Sequence, residues 1–351
     1  MSSLPYILMK KEKLKIIALL SGQGSQRSHM LESLFYEDQE IKKIMQRGEE
    51  IFIEQRNYSL LEMMFGTSDA INQTRNTQPA IFLSSAAIYS KLATKGFMPD
   101  YFIGHSVGEY TALFCNGNLE FDDAMWLVIK RADLMHENTL ESPGRIMVVF
   151  EKAQKTLEFI KESLILNIYI ANKNSEKQIA VSGKEEDIEK FCVFLSQKKV
   201  FYKKLNLTGA FHTPLFQMAS DKLRQYLENV KFKNADFSKI ISNTFAKPYP
   251  NNTNQAKDIL AKQLICPVEF IKSIEYAYEL NKKSDISSSQ SLCFVEIGAS
   301  KLLVNLLKNI NIADYDVVVS VDAKKGEHES FKACMNYLKD HNLISETVAL
   351  D

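Results

Sequence analysis

The strongest chemical signal in the sequence is the pentapeptide Gly104-His105-Ser106-Val107-Gly108, which has the form Gly-x-Ser-x-Gly. It follows a short apolar segment and precedes a stretch with helical spacing. A serine on a tight turn between a strand and a helix is exposed as a nucleophile, and the flanking glycines permit the strained turn. The helix N-terminus places the backbone N–H of Val107 where it can stabilise a developing oxyanion. An ordinary glycine-rich turn would have the same spacing, so the assignment of Ser106 depends on finding a partner.

A nucleophilic serine needs a general base, and the chain has six histidines. His212 is the best candidate because it lies in a turn of small residues, 207–214, directly before a predicted helix. His105 lies inside the serine turn, and we expect its side chain to point away from Ser106. The other four occupy polar stretches typical of surface histidines: His29, His136, His328 and His341. No aspartate stands out as a third triad member, and a backbone or amide carbonyl could orient the imidazole instead.

Alternating apolar segments and helical patterns predict the elements that position this pair. Residues 15–21 form an apolar run that ends in the turn Gly22-Gln23-Gly24, which is typical of a buried parallel strand. Helical spacing follows in residues 78–92 and 122–138. This alternation indicates an α/β fold. The predicted core strands are residues 15–21, 101–104, 293–297 and 317–321.

The middle of the chain has a different pattern. Between residues 145 and 207 it predicts the order strand, helix, strand, strand, helix, strand, which is that of a ferredoxin-like module. We therefore predict a core from residues 1–140 and 209–351, with an inserted subdomain at residues 141–208. The polar, serine-rich residues 282–291 predict a surface loop.

Composition narrows the class of protein. The 351 residues include 43 basic and 43 acidic side chains, and this balance argues against nucleic acid as the main partner. The sequence has no run of 18 apolar residues, so we predict no transmembrane helix. At the N-terminus a short apolar patch precedes the lysines, whereas a secretory signal has its charges before a longer apolar run. The five cysteines are widely spaced with no Cys-x-x-Cys pair, which favours free thiols over disulfides or a zinc site. We expect a cytoplasmic monomer with no metal, no membrane contact and no nucleic-acid partner.

The motifs occur in the order seen in the malonyl-CoA:acyl-carrier-protein transacylase family, which the chain resembles from about residue 15 to residue 321. That family includes the acyltransferase domains of fatty-acid and polyketide synthases. The resemblance implies an α/β-hydrolase-like core with a parallel sheet and a ferredoxin-like subdomain. The matching segments are Gly22-Gln23-Gly24-Ser25-Gln26, Thr77-Gln78-Pro79-Ala80, Gly104-His105-Ser106-Val107-Gly108-Glu109-Tyr110, Asn172-Lys173-Asn174-Ser175, Gly209-Ala210-Phe211-His212 and Val295-Glu296-Ile297-Gly298.

The resemblance also implies a reaction. A malonyl group would pass from malonyl-CoA to the pantetheine thiol of an acyl carrier protein by a ping-pong Ser–His mechanism, in polyketide or fatty-acid biosynthesis. No cofactor is implied, because malonyl-CoA is a substrate.

The same resemblance implies a role for each of several side chains. Ser106 resembles the acylated nucleophile, His212 its base, and Gln263 the residue whose carbonyl orients the imidazole. Gln23 resembles the donor of the second oxyanion-hole N–H, beside that of Val107. The remaining matched pocket residues are Gln78, Asn174 and Phe211.

Arg131 carries the expected substrate specificity. From the sequence alone, an arginine between apolar helix residues is more typical of a surface group with a buried stem. By resemblance it is the arginine that binds the free carboxylate of malonyl, and a planar guanidinium suits that role. The chain departs from the family pattern at Ser21, where proline is usual, and at Thr213, Glu269-Phe270 and Ala299-Ser300.

The sequence is also compatible with two other functions. An acyl-thioester hydrolase of the same fold would act on carrier-protein-bound acyl groups with the same Ser–His pair. Such an enzyme acting on neutral acyl chains has no need of Arg131. A non-catalytic docking protein would be expected to have lost the serine turn or the histidine, and both are present.

Overall fold

A computed structural model describes residues 14–233, 236–283 and 291–345 of the chain. The surface loop predicted at residues 282–291 lies mostly outside these ranges. The described strands are β1 (Lys15–Leu20), β2 (Tyr101–Gly104), β3 (Gly144–Val149), β4 (Ile168–Ser175), β5 (Gln178–Lys184), β6 (Tyr202–Thr208), β7 (Ile240–Ile241), β8 (Leu292–Ile297) and β9 (Tyr315–Val319). The described helices are α1 (Glu32–Glu37), α2 (Gln39–Arg56), α3 (Leu60–Phe65), α4 (Thr74–Thr94), α5 (Gly108–Cys115), α6 (Phe121–Glu141), α7 (Ala153–Ser163), α8 (Glu185–Gln197), α9 (Gln217–Glu228), α10 (Thr253–Lys262), α11 (Phe270–Lys283), α12 (Leu302–Leu307) and α13 (Glu327–Asp340).

Five strands form a parallel sheet in the order β7-β2-β1-β8-β9. Alternate side chains of β1 enter two different apolar clusters, so both faces of the sheet are covered. The predicted α/β fold with a parallel sheet is confirmed. Leu20 pairs with Gly104 on one side and with Ile297 on the other, so three strands end together. The turns that follow them therefore meet at one edge, where open α/β sheets bind ligands.

A second sheet is antiparallel, with the order β4-β5-β3-β6. Helices α7 and α8 cover one face through a cluster that includes Phe159, Ile188 and Phe191. The opposite face carries a smaller apolar cluster around Ile146 and Ala180. Chain order through this layer is strand, helix, strand, strand, helix, strand.

The two sheets are joined where the candidate residues lie. β6 ends at Thr208, so the turn with His212 begins directly after it. The backbone of β4 also pairs with the core, because the N–H of Lys173 donates to Val268 at 2.9 Å and the N–H of Val268 donates to Ala171 at 2.8 Å. The antiparallel sheet thus forms one wall above the end of the parallel sheet.

Two smaller expectations can be checked in the same structure. All five cysteines are free, as predicted. Among the described residues, no helix is long and apolar enough to cross a membrane.

Glu296, near the end of β8, is a fully buried carboxyl group that braces the neighbouring turn. It accepts hydrogen bonds from the Ser21 hydroxyl at 2.8 Å and from the first backbone N–H groups of α12, those of Leu303 and Val304, at 3.1 and 2.8 Å. Burial raises its pKa to about 7 in spite of these donors. The hydroxyl of Ser21 thereby ties the end of β1 to the neighbouring strand β8.

This carboxyl group should make stability depend on pH. The folded state holds the Glu296 proton more tightly than the unfolded chain does. Its contribution to the free energy of unfolding therefore falls as the pH rises from about 5 to about 8, by up to about 3 kcal/mol. Urea unfolding of the wild type and Glu296→Gln across this range measures the effect. We expect the difference between the two proteins to change with pH, and a constant difference would contradict the assignment.

Candidate active site

Ser106 sits on a strained turn between β2 and α5. Its φ is 54°, in the left-handed region that non-glycine residues rarely occupy. The turn is held by Asn243, whose side-chain oxygen accepts from the Ser106 N–H at 2.6 Å and whose amide nitrogen donates to the carbonyl of Gly104. A Cβ on Gly108 would overlap the backbone of Leu20, so the turn packs closely on β1 only with glycine there. This is the geometry that the Gly-x-Ser-x-Gly spacing predicts.

His212 faces the serine, and its Nε2 is 2.9 Å from Ser106 Oγ. Its Nδ1 is 2.8 Å from the backbone carbonyl of Gln263, which can only accept a hydrogen bond. Nδ1 therefore carries the proton, and the unprotonated Nε2 faces the serine hydroxyl. The carbonyl of Gln263 takes the place that a carboxylate has in a triad.

Electrostatics keep this imidazole neutral. Burial, the largest cause, and the positive charge of Arg131 together lower the pKa of His212 to about 3. A neutral imidazole is the form that can take a proton from a serine hydroxyl. The pair is thus prepared to act as nucleophile and base.

Arg131 projects from α6 into the same site, with none of its surface exposed. Its Nη2 is 3.1 Å from Ser106 Oγ and 3.0 Å from the side-chain oxygen of Gln263, and its Nη1 donates to Gln78. Its guanidinium carbon lies 5.1 Å from the centre of the Tyr110 ring. The surface position that the sequence alone favoured is therefore wrong, and the guanidinium lies beside the nucleophile.

The other predicted residues surround this centre. Gln23 is half-buried and its side chain donates to Thr74 Oγ1 at 3.3 Å. Val107 is the residue before α5, where backbone N–H groups have no acceptor within the helix. The Asn174 side-chain oxygen accepts from His105 Nε2 at 2.9 Å, and Phe211 packs edge-on against Phe216.

His105 is a residue whose contribution the sequence did not reveal. Its ring meets Asn174 and the edge of Phe270, so it is directed away from Ser106 as expected. It nevertheless lines the same cavity as the serine and His212. Burial lowers its pKa, so it adds no positive charge beside the pair.

Two openings reach the site. A cavity of about 80 Å³ lies between the serine turn and the inner face of the antiparallel sheet. A larger groove of about 590 Å³ runs from His212 between α7, β4 and the segment around Pro267. The groove is walled mainly by apolar side chains, the small cavity has a mixed polar and apolar lining, and both include His212. The small cavity is lined by Gln23, His105, Ser106, Ile146, Asn172, Asn174, Ala180, Leu205, Leu207, Phe211 and His212.

Several contributors to the site were not predicted. Asn243 braces the serine turn, and the carboxyl group of Glu109 lies fully buried beneath it, in contact with Tyr249 and the Gln263 side chain. Glu109 stands three residues after the serine, so an acid at the start of an apolar helix was an available signal. Nothing local marks Asn243 or Tyr249, which lie more than 130 residues away in sequence.

The described residues contain no group of three or more His, Cys, Asp or Glu side chains that could hold a metal ion. The described side chains place a histidine and an arginine at hydrogen-bond distance from the hydroxyl of a serine. Such a set can form and break an acyl bond to serine next to a bound negative charge.

Comparison with known proteins gives a consistent set of relatives. Residues 19–334 match the family described as "Acyl transferase domain". The chain is 29% identical over 334 residues to the malonyl CoA-acyl carrier protein transacylase of Bacillus subtilis strain 168, covering 93% of this chain and 98% of that protein. It is 31% identical over 299 residues to the polyketide biosynthesis malonyl CoA-acyl carrier protein transacylase PksC of the same organism, covering 84% and 96%.

A solved structure is similar over nearly the same length. It is the complex PlMCAT:AntF, in which a type II PKS acyl-carrier protein is bound to its malonyl-transacylase. The TM-score is 0.81 at 25% identity, and the match covers 92% of this chain and 99% of that one.

Proposed function

The chain belongs to the acyl transferase domain family, and on that basis we propose that it transfers a malonyl group from malonyl-CoA to the pantetheine thiol of an acyl carrier protein. The observation that carries the proposal is the meeting of three side chains. Ser106 Oγ is 2.9 Å from His212 Nε2 and 3.1 Å from Arg131 Nη2. A nucleophile, a base and a carboxylate-binding cation at one point suit an acyl group that ends in a carboxylate.

In the first half-reaction, Ser106 Oγ attacks the thioester carbonyl of malonyl-CoA while His212 Nε2 takes the hydroxyl proton. The backbone N–H groups of Val107 and Gln23 form the oxyanion hole for the tetrahedral intermediate. The intermediate collapses with cleavage of the carbon–sulfur bond, and His212 returns the proton to the thiol of coenzyme A. The second half-reaction runs in reverse, with the carrier-protein thiol as nucleophile and Ser106 as leaving group.

Arg131 selects the acyl group. Its Nη2 contacts Ser106 Oγ, and a malonyl carboxylate displaces this contact and takes the same donor. Gln78 holds Nη1, and Phe211 supplies an apolar wall beside the cavity. A buried guanidinium without a carboxylate partner binds an anion more strongly than an exposed one, because the surroundings do not screen the charge.

The large groove that ends at His212 is the path for the pantetheine arm. Its apolar walls suit the arm's methylene and dimethyl groups, and it brings a thiol to the nitrogen that exchanges the proton. Asn174 and His105 line the small cavity on the other side of the pair and orient the bound acyl thioester.

We also propose a domain architecture and a partner protein. We assign residues 1–140 and 209–351 to an α/β-hydrolase-like core and residues 141–208 to a ferredoxin-like subdomain, since β3 to β6 have the strand order of that module. The partner is a phosphopantetheinylated acyl carrier protein, as in the similar complex PlMCAT:AntF. The enzyme acts as a cytoplasmic monomer without a cofactor, in polyketide or fatty-acid biosynthesis.

A thioester hydrolase is the alternative, and one assay separates the two. The protein is mixed with malonyl-CoA and a holo acyl carrier protein, and the carrier's intact mass and the released malonate are followed together. Transfer predicts that each coenzyme A released matches one malonyl group gained by the holo carrier, with none on the apo carrier. Release of malonate without loading of the carrier would favour the hydrolase.

The neutral His212 leads to a prediction about pH. With a pKa of about 3, its Nε2 stays unprotonated down to mildly acidic pH. We expect the rate of Ser106 acylation to change less than about twofold between pH 5.5 and pH 8. Rapid-quench measurements of acyl-enzyme at several pH values test this. A fall below pH 7 with an apparent pKa near 6.5, the ordinary value for histidine, would contradict it.

A further inference from the structure

Among the residues that the structure describes, no carboxylate contacts the positive charge of Arg131. Its hydrogen-bond partners are the side-chain oxygens of Gln78 and Gln263 and the Ser106 hydroxyl, all of them uncharged. A fully buried cation without a counter-ion is costly, so some group must compensate the charge.

Gln263 connects this cation to a buried acid. Its Oε1 accepts from Arg131 Nη2 at 3.0 Å, while its Nε2 donates to the carboxylate of Glu109 and, at 3.1 Å, to the backbone carbonyl of Ser106. Its own backbone carbonyl accepts from His212. One residue therefore touches the nucleophile, the base, the guanidinium and the acid.

Glu109 is placed to act as the counter-ion. None of its surface is exposed, and it accepts from the Tyr249 hydroxyl, the Gln263 amide and the Asn243 N–H, the last at 3.3 Å. Burial raises the pKa of Glu109, while the three donors around its carboxyl group act in the opposite direction and favour the ionised form.

We propose that Glu109 is a positioning residue for the carboxylate clamp: it fixes the orientation of the Gln263 amide, and that amide holds Arg131 against Ser106. The amide thus bridges an ion pair between Glu109 and Arg131. This inference deepens the proposed function, on which it rests, by naming the group that sets malonyl specificity from outside the substrate pocket.

The chemistry predicts what happens without the carboxylate. In Glu109→Gln, the shape of the side chain is kept, but the negative charge near Arg131 is lost and the hydrogen bond from the Gln263 amide is weakened. The Gln263 amide is then held less firmly, and the guanidinium loses both a compensating charge and the fixed acceptor that holds it against Ser106. The backbone carbonyl of Gln263 does not move, so His212 keeps its orientation. The defect should therefore be confined to the charged acyl donor.

The test compares the acylation of Ser106 by malonyl-CoA and by acetyl-CoA, measured as intact mass after rapid quenching. For Glu109→Gln we expect a fall of about 10- to 100-fold with malonyl-CoA and a change within about threefold with acetyl-CoA. Gln263→Leu removes the bridge, so its ratio of malonyl to acetyl rates should fall as well. The double variant should be no worse than the poorer single variant, because both remove one linkage.

Glu296→Gln is the matched control, since Glu296 is equally buried but touches neither Gln263 nor Arg131. Its ratio of malonyl to acetyl rates should equal that of the wild type. An unchanged ratio in Glu109→Gln and in Gln263→Leu, or losses that multiply in the double variant, would overturn the proposal. If Glu109→Gln does not fold, Gln263→Leu alone decides the question.

A crystal structure of a folded variant gives an answer that does not depend on turnover. We expect the Arg131 guanidinium to withdraw from Ser106 Oγ beyond the present 3.1 Å. A guanidinium left in place would overturn the positioning role. Absence of acylation in the wild type itself would count against the proposed function instead, so the two failures are distinguishable.

Discussion

Replacing His212 with alanine should lower the rate of Ser106 acylation by about 10²- to 10⁴-fold, the range expected for loss of a positioned general base. No other histidine contacts Ser106 Oγ among the described residues, so none can substitute. The measurement is the rate at which intact-mass spectra show the acyl-enzyme after mixing with malonyl-CoA. Binding of malonyl-CoA should change little, because the Arg131 donors stay in place.

His341→Ala is the matched control, since His341 lies exposed at the end of α13 and stacks on Tyr337. Its rate should equal that of the wild type. If His212→Ala acylates within about threefold of the wild type while remaining folded, the base has been assigned wrongly.

Replacing Arg131 with methionine should abolish the preference for malonyl. Loss of charge-assisted hydrogen bonds to a buried carboxylate predicts a fall of about 10²- to 10³-fold in the second-order rate constant for acylation by malonyl-CoA. Acetyl-CoA carries no carboxylate, so its rate should hold or rise. The ratio of the two rates, measured under identical conditions, gives the contribution of the clamp.

Lys130→Met provides the comparison, because Lys130 precedes Arg131 on the same helix. Its Nζ donates to Gln55 at 2.8 Å, on the outer side of α6. Its malonyl preference should be that of the wild type. Equal losses with malonyl-CoA and acetyl-CoA in Arg131→Met would mean that the arginine supports the fold and does not bind the acyl carboxylate.

The parallel sheet was predictable because its strands carry their own signals. β1 and β2 are short apolar runs that end in glycine turns, and the structure gives β1 the bounds Lys15–Leu20 within the predicted residues 15–21. The same holds for α8, Glu185–Gln197, which is the second helix of the predicted inserted module. In these segments the burial pattern and the local propensity agree, so the sequence alone is sufficient to predict the element.

Other elements were missed for two different reasons. α2 has apolar residues at helical spacing, Ile41, Met45 and Phe52, all of them buried, so its signal was present but was not used. β7, by contrast, has two residues and exists only through its pairing with β2. No local pattern can predict a strand that short. α4 starts at Thr74, four residues before the predicted start.

The residues of the site also fall into those with a local signal in the sequence and those without one. Ser106 and His212 stand in recognisable local motifs, whereas the role of Arg131 came from the family resemblance and not from its surroundings in the sequence. Its burial depends on contacts with Gln78 and Gln263, which are 53 and 132 residues distant. The Glu109–Gln263 link spans 154 residues and could be seen only once the chain was folded.

The measurement that tests the central claim most directly is the intact mass of the protein after brief incubation with malonyl-CoA, beside acetyl-CoA and a Ser106→Ala variant. We predict an adduct with the mass of one malonyl group in the wild type, little or none from acetyl-CoA, and none in Ser106→Ala. An adduct that persists in Ser106→Ala would contradict the nucleophile, and one formed from acetyl-CoA but not from malonyl-CoA would contradict the carboxylate clamp.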